Sequence, residues 1–160
     1  MPPPVVNAAP LIFLSKGNQT NLLRTVDDSV IVPATVADEI LRRGPEDVTA
    51  RALEETEWLR TVDVPDVPSE IQSWDFGPGE SAVLSLAYSG PEREVIIDDL
   101  AGRRCAAALD IPVRGTLGGV VLAKKYGEIE KARSIVEELR RGGMYLSDEV
   151  VDDALALVGE

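Results

Sequence analysis

VIIDDLAGR, residues 95–103, is the stretch that decides the fold. Val95, Ile96 and Ile97 form an apolar β-branched run that reads as a short buried strand, and LAGRRCAAAL, from Leu100, reads as a helix. A strand that runs directly into a helix is the unit of a parallel sheet, where each connection must cross back over one face. Between the two stand Asp98 and Asp99. Adjacent carboxylates repel, and at the end of a buried strand each must be solvated or paired. Asp99 stands where the following helix needs an N-cap; Asp98 has no such local duty.

The same strand-then-helix scheme recurs in both directions along the chain. PVVNAAPLIFLSKG (4–17) opens with a strand through Val5 and Val6 and continues as an apolar helix ended by Gly17. SVIVPATVADEILRRG (29–44) gives a strand Val30 to Val32, then a helix with Pro33 near its start, Val36 and Ile40 inward, and Gly44 past its end. EDVTARALEETEWLRTVDV (46–64) is an amphipathic helix running into a strand over Leu59 to Val64, and VPDVPSEIQSWDF (64–76) is a proline-marked loop with room for one helical turn. GPGESAVLSLAYSG (77–90) is a helix opened by its proline and glycines. IPVRGTLGGVVLAKKYG (111–127) supplies a short strand, Thr116 as an N-cap that also orients the site by hydrogen bonding, and another apolar helix; EIEKARSIVEELRRGG and SDEVVDDALALVGE are two more helices. The expected fold is α/β, a mostly parallel central sheet flanked by helices, in a single domain over residues 1–160.

Composition narrows the chemistry. The chain contains no histidine, which removes Ser/His/Asp and Cys/His nucleophilic systems together with histidine-bearing zinc sites. Carboxylates remain. With 28 acidic against 16 basic residues the net charge is −12, which argues against a surface built for broad adhesion to nucleic acid. Nucleic acid as a substrate stays open, because carboxylates that hold a divalent cation present positive charge to a phosphate. The lone Cys105, set among alanines, reads as a small buried helix residue. No apolar run is long enough to span a membrane, and MPPPVV lacks the regions of a secretory signal, so a cytoplasmic protein is expected.

In open parallel sheets the site lies beyond the carboxyl ends of the strands. Asn7 follows the first strand, and Asp98 and Asp99 a later one. Glu39 lies beside the Val36 and Ile40 stripe, and Glu80 falls in the first turn after GPG, where the positive end of a helix favours an anion. Each also has a plain reading: Asn7 as a turn residue, Glu39 as solvated surface, Glu80 as a complement to its helix dipole, Asp99 as a cap. Arg103 and Arg104 are read either as solvated partners of nearby acids or as a reach toward a substrate phosphate. Trp58 and Trp74 read as core or interface residues before base-stacking ones.

Taken in order and at their spacing, VVNAAPLIFLSK, VIVPATVADEI, GPGESAVLSLA, IIDDLAGRRCAAALDIPVRGTLGGVVLAKKYG and LRRGGMYLSDEVV resemble a branch of the PIN-domain proteins. The resemblance covers nearly the whole chain. It implies a three-layer fold like that of 5′ nucleases and a Mg²⁺- or Mn²⁺-dependent endoribonuclease, often the toxin of a toxin/antitoxin pair, with RNA as substrate, an antitoxin protein as partner, and a homodimer, for which MYLSDEVVDDALALVGE offers an apolar contact. Position by position, the family's acidic residues fall on Asn7, Glu39, Glu80, Asp98 and Asp99, and these become the implied metal ligands, the four acids among them the catalytic set. Two departures stand out. Asn7 offers a neutral carbonyl oxygen where the family has a charge, and Ala8 and Ala9 replace its small hydroxyl residues. They favour an alternative, a catalytically weakened PIN-like module that binds RNA or protein. A phosphoacceptor receiver domain, also α/β with an acidic cluster, would need its acid pair where this chain has Asn7.

Overall fold

The computed structural model describes residues 2–160. Five strands form one sheet: β1 (Val5–Val6), β2 (Val30–Pro33), β3 (Leu59–Val62), β4 (Val95–Ile96) and β5 (Val113–Arg114), in the order β3-β2-β1-β4-β5. All pairings are parallel, Val5 standing opposite both Ile31 and Val95, and Ile96 opposite Arg114. The sheet is therefore wholly rather than mostly parallel. The central strands β1, β2 and β4 are apolar runs without alternation because helices flank the sheet, and Val5, Val6, Val30, Val32 and Val95 are completely buried, whereas the edge strand β3 exposes Arg60 and Thr61.

Helices fill the connections: α1 (Ala8–Lys16), α2 (Ala34–Leu41), α3 (Val48–Glu55), α4 (Ser69–Gln72), α5 (Pro78–Tyr88), α6 (Leu100–Ala108), α7 (Thr116–Lys125), α8 (Ala132–Arg141) and α9 (Asp148–Ala156). In α8 the apolar spacing alone builds the contact: Ala132, Ile135, Val136 and Leu139 are buried at i, i+3, i+4 and i+7, while Arg133, Ser134 and Glu137 face water. Asp47 caps α3 by accepting from the Thr49 and Ala50 amides, and Ser147 caps α9 by accepting from Val150. Cys105 in α6 is fully buried, and burial pushes its thiol pKa up. That makes it the inert core residue its alanine neighbours foretold.

Three details depart from the sequence reading. β3 stops at Val62, two residues before Val64. Residues Thr20–Arg24, a stretch without periodicity, form a 3₁₀ turn, and Arg24 lies over the Trp58 ring at 5.0 Å. Thr116 does not cap α7 with its side chain: Gly115 occupies the cap position, and the threonine is the first helical residue.

Candidate active site

The strand order runs outward from the centre in opposite senses, so β1 and β4 are neighbours whose connections leave in opposite directions. A crevice opens beyond their carboxyl ends, the place where ligands bind in open parallel sheets. Val6 pairs with Ile96, and the Asn7 amide donates to the Ile96 carbonyl at 3.0 Å, so Asn7 and Asp98 leave adjacent strands at the same edge. The helices α1, α2, α6 and α7 begin at this edge too, each following its strand within a few residues.

On the β1 side the contact is made through a glycine. A β-carbon on Gly79 would lie 3.5 Å from Glu39 Oε2, 3.6 Å from Asn7 Oδ1 and 3.8 Å from Val36 Cγ2. The α5 backbone thus passes between the two oxygens without a side chain of its own. Asn7 is buried and makes no capping bond to α1, which leaves its side chain free for the crevice. Glu80, half-buried on the first turn of α5, turns its Oε2 toward Gly77.

On the β4 side both oxygens of Asp98 are engaged by one residue. The Thr116 amide donates to Oδ1 at 2.7 Å, and the Thr116 hydroxyl donates to Oδ2 at 2.6 Å. The pair spans from the end of β4 to the start of α7 and fixes the carboxylate rotamer, while each oxygen keeps a second lone pair. Asp99 is exposed, and its Oδ2 accepts from the Gly102 amide at 2.9 Å. The adjacent carboxylates therefore do different things: Asp99 starts the helix, and Asp98 is held at the strand end by Thr116. Asp98 also lines a groove of about 740 Å³ with Leu100, Arg103, Gly115 and Leu117 on one side and Tyr145 and Leu157 on the other.

The structure thus gathers Asn7 with Glu39, holds Glu80 beside them on α5, and sets Asp98 on the neighbouring strand; Asp99 is spent on a cap. Gly79 and Gly115 escape a reading that looks for polar groups. Their signal in the sequence is position: each stands one residue from the start of a helix that borders an acid.

A DUF3368 family model, described as a PIN domain, matches residues 3–160. The chain belongs to this PIN-domain family. No curated protein and no solved structure matches it. PIN domains are in general nuclease-type and dependent on a divalent metal. The donors on this PIN domain fit such a cation in kind, since all are the hard oxygens that Mg²⁺ and Mn²⁺ prefer. Among the described residues no three carboxylate or cysteine side chains gather around one point. A cation here would be held by few protein oxygens and keep much of its water, which is the usual habit of Mg²⁺.

Proposed function

We propose that this PIN domain is a Mg²⁺- or Mn²⁺-dependent endoribonuclease of the cytoplasm, with single-stranded RNA as substrate and a small antitoxin-type protein as partner. The observation that carries the reading is the doubly braced Asp98, placed one strand away from the Asn7 and Glu39 oxygens that meet at Gly79. A divalent cation bound there supplies a water of lowered pKa and offsets negative charge on the phosphate. Its few protein ligands would be drawn from Asp98, Glu39, Glu80 and the Asn7 carbonyl oxygen, with water completing its shell and spanning to the others. Thr116 holds the Asp98 carboxylate in one rotamer, and a ligand fixed in this way would need little reorganisation during reaction. Asp99 contributes by setting the start of α6.

A second reading rests on a specific observation. Asn7 brings no charge, and Ala8 and Ala9 bring no hydroxyl, so a PIN domain that binds RNA or protein with weakened catalysis is the alternative. Asp98→Asn decides between them, because it removes a ligand charge at nearly constant volume. Purified wild type should cleave a panel of single-stranded RNAs in Mn²⁺, and the variant should lose that activity while melting as a folded protein. A wild type that cleaves no RNA in Mn²⁺ rejects the nuclease in favour of the binding module.

A further inference from the structure

Arg103 lies one turn into α6, half-buried, and its Nη1 rests against the backbone of Gly115 where any β-carbon would collide with it. The same point lies 3.0 Å from Asp98 Oδ1. Gly115 has φ −93° and ψ 175°, extended backbone that every residue type adopts, so conformation does not require a glycine there. A β-carbon there would instead displace the guanidinium from its place beside Asp98. Arg43, Arg114 and Arg140 each take an acidic partner at 3.1–3.2 Å. Among the described residues Arg103 has no carboxylate within 4.0 Å. Arg42 and Arg104 also lack an acidic partner, but both are exposed; what sets Arg103 apart is its half-buried place against Gly115, beside Asp98 and in the groove.

We propose that Arg103 binds a backbone phosphate of single-stranded RNA at the mouth of the groove, beside Asp98. The proposal rests on the RNA-directed reading of the site. A guanidinium offers a planar fork of donors that matches two phosphate oxygens, and the groove that Arg103 lines gives the adjoining nucleotide an apolar wall at Leu100 and Leu117. Because Arg103 carries its own charge beside Gly115, this contact does not wait for a cation. It would also set the strand in place against the acid-rich surface that otherwise repels it. Arg104, the next residue, is exposed and is not among the groove-lining residues, so it serves as an internal control.

The test is anisotropy of a short labelled single-stranded RNA at low salt in chelator, where metal-dependent cleavage is off. Arg103→Ala should weaken binding about tenfold, uniformly across sequences, and lower the slope of log K against log salt by about one. Arg103→Lys should recover part of the affinity, since it keeps the charge and loses the fork; Arg104→Ala should stay within about twofold of wild type, a loss too small for a phosphate contact. Thermal melts of all four proteins accompany the titrations. The proposal is overturned if wild type binds no RNA, if Arg103→Ala binds as wild type does, or if Arg104→Ala loses as much. Cleavage in Mn²⁺ is read separately. Arg103-dependent binding without cleavage keeps the phosphate site and removes the nuclease; cleavage with normal binding by Arg103→Ala does the reverse.

Discussion

Replacing Thr116 by valine exchanges one hydroxyl for a methyl group of nearly the same shape at a position only 2% exposed. The amide bond to Asp98 Oδ1 at 2.7 Å survives, and the hydroxyl bond to Oδ2 at 2.6 Å is lost. Hydrogen bonds to a charged group contribute about 1.5–3 kcal/mol. Asp98 is half-buried, so its freed oxygen recovers part of that from water, and the lower end, about 1.5 kcal/mol, is expected. At about 2–4 °C per kcal/mol for a chain of this size, the melting midpoint should fall by about 3–6 °C. Activity should fall further. A group that orients a metal ligand typically matters by about 10–100-fold in metal affinity or activity, so Mn²⁺ titration and RNA cleavage should both drop on that scale. Thr116→Ser restores the donor and should restore most of both. Thermal melting, calorimetric Mn²⁺ titration and cleavage of one RNA across the three proteins measure all of this. A valine variant that melts within a degree of wild type, or a serine variant that falls as far as valine, would refute the idea that the hydroxyl braces Asp98.

Asn7→Asp adds a charge at nearly constant shape beside Glu39; it should tighten Mn²⁺ binding and lower the melting midpoint in chelator, effects of opposite sign that two thermal scans separate. If both scans match wild type, Asn7 lies outside the metal site. Asp47, the α3 cap, titrates below its ordinary value of 3.8: burial opposes ionisation, but bonds from the Ala50 amide, Arg43 and the Thr49 amide outweigh it. A lowered folded pKa stabilises above the unfolded value and is lost as pH falls through the folded one. Asp47→Ala should therefore cost about 1 kcal/mol near neutrality, and the gap to wild type in urea melts should close below about pH 4.

The elements that sequence reading finds most readily here are those with a single dominant cause. β-branched runs such as Val30 to Val32 have no alternative but burial, and the i, i+3, i+4 spacing of α8 has no alternative but a helix. Where a residue has two partners within reach, the sequence cannot choose. Thr116 could have bonded its own helix, as a cap does, or reached 18 positions back to Asp98; the approach of β4 to the start of α7 decides, and that is tertiary. Thr20–Arg24 is tertiary in the same way: Leu22 and Leu23 are buried in the core, and Arg24 lies over Trp58, 34 positions along the sequence. Arg114, a charged residue at a strand end, is only 7% exposed and faces Glu94 at 3.2 Å. At the site, the division of labour between Asp98 and Asp99 could be framed from their spacing. The Gly79 and Gly115 approaches could not, since they depend on what α2, α6 and the ends of β1 and β4 present.

The central position of β1 carries a consequence for how the molecule is made. Val5 and Val6 pair on one side with β2, some 26 residues along the chain (Val5 with Ile31), but on the other side with Val95 and Ile96, 90 residues away. During synthesis β1, β2 and β3 can assemble as soon as residue 62 is available, leaving one flank of β1 an open edge with unpaired amides and carbonyls until β4 arrives. Contacts of such long separation close slowly, because loop entropy is lost before they reward it. The acid-bearing crevice is born at that same late closure, when the Asn7 amide meets the Ile96 carbonyl and Asp98 arrives with β4. A nascent chain therefore carries the candidate site residues in separate halves, and they come together only with the last central strand.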